Sequence, residues 1–165
     1  MAAMRKEDGK DWRPKKKKKG QSYFEKASKQ IESQIMNWLL PESEVQLMQM
    51  EDRIMGMPRN NLEIFENLYR YLRVRSGGIA LAEVKRKELR PAHALALYGH
   101  RDSSGFPVQI ANTEEALTFL RKKNWNPSLP KGWHLIQYGS LGLGWIKAVP
   151  GRTNNYYPQH WRIRM

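Results

Sequence analysis

The stretch GWHLIQYGSLGLGWIKAVPGRTNNYYPQHWRI, residues 132–163, decides the fold of this chain of 165 residues. Its first seven residues point alternately to two faces, which is the period-two pattern of a β-strand. A Gly-Ser pair with the composition of a tight turn follows, and residues 141–149 supply a second strand, so a hairpin is predicted. Gly142 and Gly144 lie inside this second strand and indicate a bulge or the close approach of another backbone.

The remainder of the stretch combines cations, amides and aromatic rings without a carboxylate. A turn at Pro150-Gly151 separates the hairpin from a short last strand, predicted for residues 161–163. A sheet surface of this composition suits contacts with phosphates and bases better than it suits catalysis. The candidate contact residues here are Lys147, Arg152, Asn154, Asn155 and Tyr157, and Tyr157 has packing against the core as its alternative role.

The net charge of +13 is distributed unevenly along the chain. Residues 1–20 hold nine Lys and Arg against three Asp and Glu, and they include five consecutive lysines, so a basic disordered linker is predicted. Residues 21–115 are close to neutral, with twelve basic and thirteen acidic side chains. Residues 116–165 hold eight Lys and Arg and no acid, although they fall on predicted sheet. Such a surface attracts polyanions, although basic surfaces without nucleic-acid function are also common.

Upstream of the hairpin, the pattern alternates between helices and strands. Ser22 and Glu25 have the spacing of a capping box at the start of a first helix, which ends before Pro41. Two strands flanking Glu51-Asp52 are predicted to form a hairpin. A second helix follows Asn60 or Asn61, and its predicted inward side chains are Leu62, Phe65, Leu68 or Tyr69, and Leu72.

The middle of the chain continues this alternation. A turn at Gly77-Gly78 precedes a strand over residues 79–85, and Pro91 opens a short helix over residues 92–98. A strand over residues 106–111 precedes a fourth helix, for which Asn112 and Glu115 form a capping box. The fold class is therefore α+β, a helical and hairpin segment followed by a small mixed β-barrel. The predicted organisation is a linker (1–20), a first part (21–105) and a second part (106–165), packed together as one unit.

Two motifs in this order resemble a known family. The segments LGLGWIK (residues 141–147) and NYYP (residues 155–158), with a glycine at 151 between them, resemble the PUA-like RNA-binding segment of bacterial RsmF-type 5-methylcytosine methyltransferases, which act on ribosomal RNA. Upstream, LAEVKRKELRPAHALAL (residues 81–97) is similar, without a gap, to a family stretch reading roughly LGELKKGRFEPSHALAL. The resemblance covers roughly residues 21–165.

The resemblance implies an RNA-binding module whose partner is ribosomal RNA. It adds Lys85, Arg86, Lys87 and Arg90 to the candidate RNA contacts. At Lys87, Glu88 and Arg90, however, the family has Gly, Arg and Glu, so the charges of this loop are rearranged. The family's catalytic nucleophile is Cys, and this chain has none. It also lacks the Gly-rich start of a helix that would cradle a nucleotide-like cofactor. S-adenosylmethionine and catalysis are therefore expected only in a methyltransferase domain attached to, or separate from, this chain.

Other kinds of site have weak signals. The four histidines show no metal-ligand spacing, and His93, just after Pro91, is expected to hydrogen-bond at the start of a helix. No apolar run approaches the roughly 20 residues of a membrane span, no signal peptide is visible, and the cytoplasm is the expected location.

Two other functions stay open beside RNA binding. A protein-interaction domain could dock its basic face on an acidic partner. An enzyme acting on RNA through His or Glu ranks last, because no acid–base pair or nucleophile–base pair can be assembled from the motifs.

Overall fold

The computed structural model describes residues 24–72, 74, 77–86 and 88–164, so the linker predicted for residues 1–20 lies outside the described residues. The strands of the first sheet are Glu25–Lys26 (β1), Val45–Met50 (β2), Arg53–Pro58 (β3), Ile79–Lys85 (β4) and Glu88–Pro91 (β5). The strands of the second sheet are Val108–Ile110 (β6), Gly132–Tyr138 (β7), Leu141–Val149 (β8) and Arg152–Asn155 (β9). The α-helices are Lys29–Met36 (α1), Leu62–Tyr71 (α2), His93–Leu97 (α3) and Thr113–Leu120 (α4).

The first sheet is an antiparallel meander in which neighbours along the chain are also neighbours in space, in the order β1-β2-β3-β4-β5. The predicted hairpin around Glu51-Asp52 is confirmed as β2 and β3, with Val45 opposite Pro58 and Met50 opposite Arg53. Three of the four methionines of this hairpin are core residues. Met48, Met55 and Met57 are buried together with Phe24, and side chains of α2 pack against them.

The second sheet has the order β6-β7-β8-β9 and is mixed, because β6 pairs with β7 in parallel while the other pairs are antiparallel. The α+β class and the hairpin of β7 and β8 are thus confirmed. The described strands form an open sheet rather than a closed barrel. Both faces of this sheet are covered, since Leu135 belongs to one apolar cluster and its neighbour Ile136 to another.

One apolar cluster joins the two sheets. It contains Trp38 near α1, Leu47 and Ile54 from the first sheet, and Leu135 and Trp145 from the second sheet. The buried Trp145 also donates a hydrogen bond of 2.8 Å from its indole Nε1 to the carbonyl oxygen of Ala92, just before α3. The two halves of the chain therefore share buried apolar surface rather than folding around separate cores.

The two glycines of β8 mark a bulge, as predicted. Ile136 pairs with Gly144 and the next residue of β7 pairs with Gly142, so one residue of β8 is left without a partner. A Cβ atom at Gly142 would overlap the carbonyl oxygen of Ala96, which shows that α3 passes directly over this strand. Gly144 has φ +153°, a conformation that favours glycine.

The capping box predicted at Asn112 is confirmed. The Asn112 side chain accepts a hydrogen bond of 3.0 Å from the Glu115 backbone N–H, and the Glu115 carboxylate accepts one of 2.9 Å from the Asn112 N–H. This reciprocal pair starts α4 with only two residues between the helix and the end of β6.

Other boundaries differ from the prediction. Helix α1 is capped by Ser28, and Ser22 of the predicted capping box lies outside the described residues. Strand β1 lies before α1 because residues 25 and 26 pair with β2. Of the α2 side chains predicted to face inward, Leu62, Phe65 and Tyr69 pack against the core as predicted. Leu68, the alternative to Tyr69, and Leu72 are 37% and 55% exposed. Pro91 ends β5 rather than opening α3, and β6 occupies only three of the six residues predicted for it.

The last strand is also placed differently. The final strand is β9, and the predicted strand over residues 161–163 is wrong, because Gln159–Trp161 is a 3₁₀ turn.

Candidate nucleic-acid interface

Lys147 lies on the face of the second sheet that is turned toward β5. Its ammonium group forms an ion pair with the carboxylate of Glu88 and lies 5.4 Å from the centre of the Trp133 ring. Glu88 also accepts a hydrogen bond of 3.2 Å from the Trp133 indole N–H. The hydrogen bond from Lys147 lowers the pKa of Glu88, against the opposite effect of burial. The charge of Lys147 is therefore matched inside the molecule.

Strand β9 divides the predicted residues between two sides of the sheet. Thr153 and Asn155 bond to Trp125 and Phe119 on the side covered by α4. Since strand residues alternate, Arg152 and Asn154 lie on the opposite side, where Asn154 is the register partner of Lys147. Arg152 is exposed and Asn154 is half-buried.

Asn155 and Tyr157 hold the end of the sheet to α4. The Asn155 Nδ2 donates a hydrogen bond of 2.8 Å to the Phe119 carbonyl, and its Oδ1 accepts one of 2.8 Å from the Tyr157 N–H. The Tyr157 ring packs edge-on against the rings of Phe119 and His93, with centroid distances of 5.6 and 5.2 Å. The structure therefore uses both side chains in packing, which was the alternative role of Tyr157.

The loop between β4 and β5 carries the upstream candidates. Lys85 forms a part-exposed ion pair with Asp52, and Arg86 is exposed in the left-handed conformation at φ +57°. Arg90 approaches Glu88 at 3.5 Å from its Nε atom. Lys87 lies outside the described residues. Through Glu88, the structure brings this loop and the second sheet together.

The exposed part of this surface also carries aromatic rings. Tyr156 is 37% exposed and meets the Trp133 ring at a centroid distance of 4.6 Å. We refer to Trp133, Lys147, Arg152, Asn154 and Tyr156 as the sheet face. This surface combines two aromatic rings, an amide and two cations, one of which is neutralised by Glu88.

A second basic surface, which the sequence analysis did not identify, lies on the α4 side of the second sheet. A cleft of about 500 Å³ is lined by Arg121, Lys123, Arg162, Ile163 and Arg164, which we call the basic pocket. The Ile163 N–H donates a hydrogen bond of 3.2 Å to the Leu120 carbonyl and so fixes the chain end against α4. The only sequence signal for this pocket was the absence of acidic residues after position 115.

After α4, a lysine occupies the left-handed position where glycine is usual. Lys122 has φ +53°, and hydrogen bonds from Lys122 and Lys123 to the Phe119 and Thr118 carbonyls complete a Schellman motif. The Lys122 ammonium donates a hydrogen bond of 2.8 Å to the Tyr157 carbonyl. Burial lowers the pKa of Lys122, and the charge of Arg162 lowers it further.

His93 corrects a prediction. Neither ring nitrogen is hydrogen-bonded to a described residue, and the ring packs against Tyr157 and Trp161 instead of bonding at the start of α3 as expected. Burial, and secondarily the charge of His160, lower the pKa of His93. The ring lines an open, mainly apolar cleft of about 680 Å³ together with Arg53, Glu83, Tyr98 and His160, among others.

Among the described residues, no group of three or more His, Asp or Glu side chains could hold a metal ion. Among the helices of the described residues, none has the length and apolar character required to span a membrane.

Residues 110–163 match the family model described as the methyltransferase RsmF PUA domain. The matched range holds α4, the second sheet from β7 onward and most of the basic pocket's residues. No curated protein matches the chain. The upstream motif, residues 81–97, lies outside the matched range, so its resemblance stays a prediction.

Proposed function

Because residues 110–163 are a PUA-like region of the RsmF methyltransferase type, we propose that this chain is a non-catalytic module that binds structured ribosomal RNA. The family match is the observation that carries this proposal. The charge distribution supports it, since residues 116–165 contain eight Lys and Arg and no Asp or Glu. A folded surface of this kind concentrates polyanions near it.

The sheet face supplies groups of the types that RNA-binding sheets use. Arg152, with Arg86 from the neighbouring half of the molecule, contacts phosphates, which position the RNA without reading its sequence. Tyr156, backed by Trp133, offers a partly exposed ring on which an unpaired base stacks. The half-buried Asn154 is placed to hydrogen-bond a base edge or a sugar hydroxyl.

Lys147, Lys85 and Arg90 act differently in this proposal. Each has a carboxylate partner in the free protein, Glu88 or Asp52. A phosphate has to compete with that carboxylate, so these cations contribute less to RNA affinity than exposed cations do. Asn155 and Tyr157 contribute indirectly, because they hold β9 and the segment after it in place.

The module would hold RNA so that a cytosine reaches a methyltransferase domain in cis or in trans. S-adenosylmethionine would bind to that domain. The proposal treats residues 21–105 and 106–165 as one unit, since the apolar cluster around Trp145 draws residues from both parts. The module would act in the cytoplasm.

Salt-dependent RNA binding tests the proposal. Fluorescence anisotropy with a structured ribosomal RNA hairpin should give an affinity that falls steeply between about 50 and 200 mM salt, because bound cations release counterions. The double variant Lys147→Ala/Arg152→Ala should reduce the slope of log K against log[salt] by up to about 1. The matched control is Arg59→Ala/Arg70→Ala, which removes two exposed charges from the first part of the chain.

The outcomes separate the functions. If wild-type protein shows no salt-dependent RNA affinity, the proposal is wrong. If the sheet-face variant and the control bind equally well, the sheet face is not the contact surface. Capture of an acidic protein that survives nuclease treatment, without RNA affinity, would replace the proposal with the protein-interaction function. The basic residues 1–20 are common to every variant, so their contribution cancels.

A further inference from the structure

The basic pocket collects cations from two distant parts of the chain. Arg121 and Lys123 follow α4, while Arg162 and Arg164 follow the 3₁₀ turn Gln159–Trp161. Lys123, Arg162 and Arg164 are exposed, and the two arginines have no hydrogen bond or ion pair with any described residue. Arg121 is engaged in contacts of its own, so three cations are open to a ligand.

Helix stability explains only part of this arrangement. Basic side chains near the C-terminus of α4 interact favourably with its macrodipole, which accounts for Arg121, Lys122 and Lys123. Arg162 and Arg164 come from another segment and bring further positive charge into the same cleft. Like charges that line one cleft repel one another, and salt screens this repulsion only beyond a Debye length of about 8 Å at physiological ionic strength. Their repulsion is felt at Lys122, whose pKa falls through burial and the charge of Arg162.

The backbone beneath these cations is held in place before any ligand binds. The hydrogen bond from Ile163 N–H to the Leu120 carbonyl joins the two segments, and the Schellman motif fixes the end of α4. Lys122 adds a hydrogen bond from its ammonium group to the Tyr157 carbonyl. A ligand therefore orders side chains rather than backbone, which lowers the entropic cost of binding.

We propose that the basic pocket binds phosphate groups of the RNA backbone, as a second contact on the α4 side of the sheet. Two arginines offer planar guanidinium groups that match phosphate oxygens bidentately, and Lys123 adds a point charge. The range matched by the RsmF PUA domain includes Arg121, Lys123 and Arg162, which favours RNA over an acidic peptide as the ligand. This inference rests on the proposed function and identifies where the strongest phosphate contacts lie.

The experiment uses the full chain and the same ribosomal RNA hairpin. Arg162→Gln/Arg164→Gln should reduce the slope of log K against log[salt] by about 1.4–1.8, since each phosphate contact accounts for roughly 0.7–0.9. The affinity near 100 mM salt should fall roughly tenfold, more than for the sheet-face variant. Arg59→Gln/Arg70→Gln removes the same charge from exposed positions elsewhere and should change the slope less. Thermal melts confirm that each variant is folded.

Each result decides one question. An unchanged slope for Arg162→Gln/Arg164→Gln, with wild-type binding intact, would overturn the pocket and leave the proposed function standing. A wild-type protein without salt-dependent RNA affinity would remove both. Loss of affinity for an oligoglutamate peptide, with RNA affinity unchanged, would assign the pocket to an acidic protein and overturn the proposal. A slope reduced equally by the pocket variant and by the control would show that only net charge matters, which also contradicts a specific pocket.

Discussion

The sheet face and the basic pocket contain the same kinds of cation in opposite electrostatic settings. On the sheet face, Lys147 is paired with Glu88, which also approaches Arg90. In the basic pocket, Arg162 and Arg164 are exposed, and the last fifty residues offer them no Asp or Glu. The first arrangement stabilises the contact between the two halves of the fold. The second leaves positive charge available for a partner, so a count of Lys and Arg does not locate a binding surface by itself.

The largest effect is expected from a change that damages the scaffold of both regions. In Gly142→Ala, the added Cβ would overlap the Ala96 carbonyl oxygen, and neither α3 nor β8 can move without disturbing the core around Trp145. We expect a loss of about 3 kcal/mol or more in the free energy of unfolding, at or above the upper end for overpacked cores. Urea denaturation followed by fluorescence measures it.

Gly99→Ala is the matched control, because a Cβ there meets no atom within 4 Å. A Gly142→Ala variant as stable as this control would contradict the close passage of α3 over β8. Because the sheet face and the basic pocket share this scaffold, the RNA affinity of Gly142→Ala should fall through the loss of both surfaces.

Glu88→Gln removes the charge that distinguishes the two regions while keeping the shape of the side chain. Because Lys147 and Glu88 are only about a third exposed or less, we expect a loss of about 1–2 kcal/mol in the free energy of unfolding. The lowered pKa of Glu88 means that this stabilisation is present above about pH 4.5 and is lost as the pH falls through the folded-state pKa. In the variant, that part of the acid dependence should disappear.

The same variant should also bind RNA more tightly, by a few-fold, because Lys147 no longer has an internal competitor. Glu63→Gln, an exposed residue of α2, makes the same change in net charge and serves as the control. Equal RNA affinities of Glu88→Gln and Glu63→Gln would show that the sheet face takes no part in binding, and the contrast between the two regions would lose its functional meaning.

The smallest expected effect is a change in the pH dependence of stability, caused by His93. The segment that joins the sheet face to the basic pocket packs against this ring through Tyr157 and Trp161. Burial holds the pKa of His93 below its usual 6.5, so the unfolded chain binds more protons just below that pH. The contribution of His93 to the free energy of unfolding should therefore be fully present above pH 6.5 and should decline as the pH falls below 6.5. Arg53, Glu83 and His160 line the same cleft and are unchanged in the test variants.

His93→Leu should remove this slope, whereas His100→Leu, at an exposed position, should keep it. Thermal melts at a series of pH values between 5 and 8 measure the difference. If the stability of His93→Leu still declines as the pH falls below 6.5, another group causes the decline. Only the pH dependence decides the question, since the lost ring contacts lower the stability of His93→Leu at every pH.

Local features of this protein were determined by the sequence alone. The capping box of α4 needs only Asn112 and Glu115, three residues apart. The two hairpins follow from period-two patterns around short turns, and the bulge in β8 follows from its two glycines. Each of these depends on interactions between residues that are close in the chain, so composition and spacing carry enough information to predict them.

The start of α1 and the last strand were mispredicted, because pairing between strands competed with local preference. Residues 25 and 26 pair with β2 instead of extending the helix. β9 takes the edge position beside β8, and the residues predicted as a last strand pack against α3 and α4 instead.

Tertiary structure alone decided which cations are available to a partner. Glu88 and Lys147 are 59 residues apart, and no local pattern shows that they form an ion pair. Arg121 and Arg164 are similarly distant and meet only because the chain end is hydrogen-bonded to α4. Electrostatic interactions depend on distance in space and on exposure to water, and both are set by how the two sheets and α4 pack.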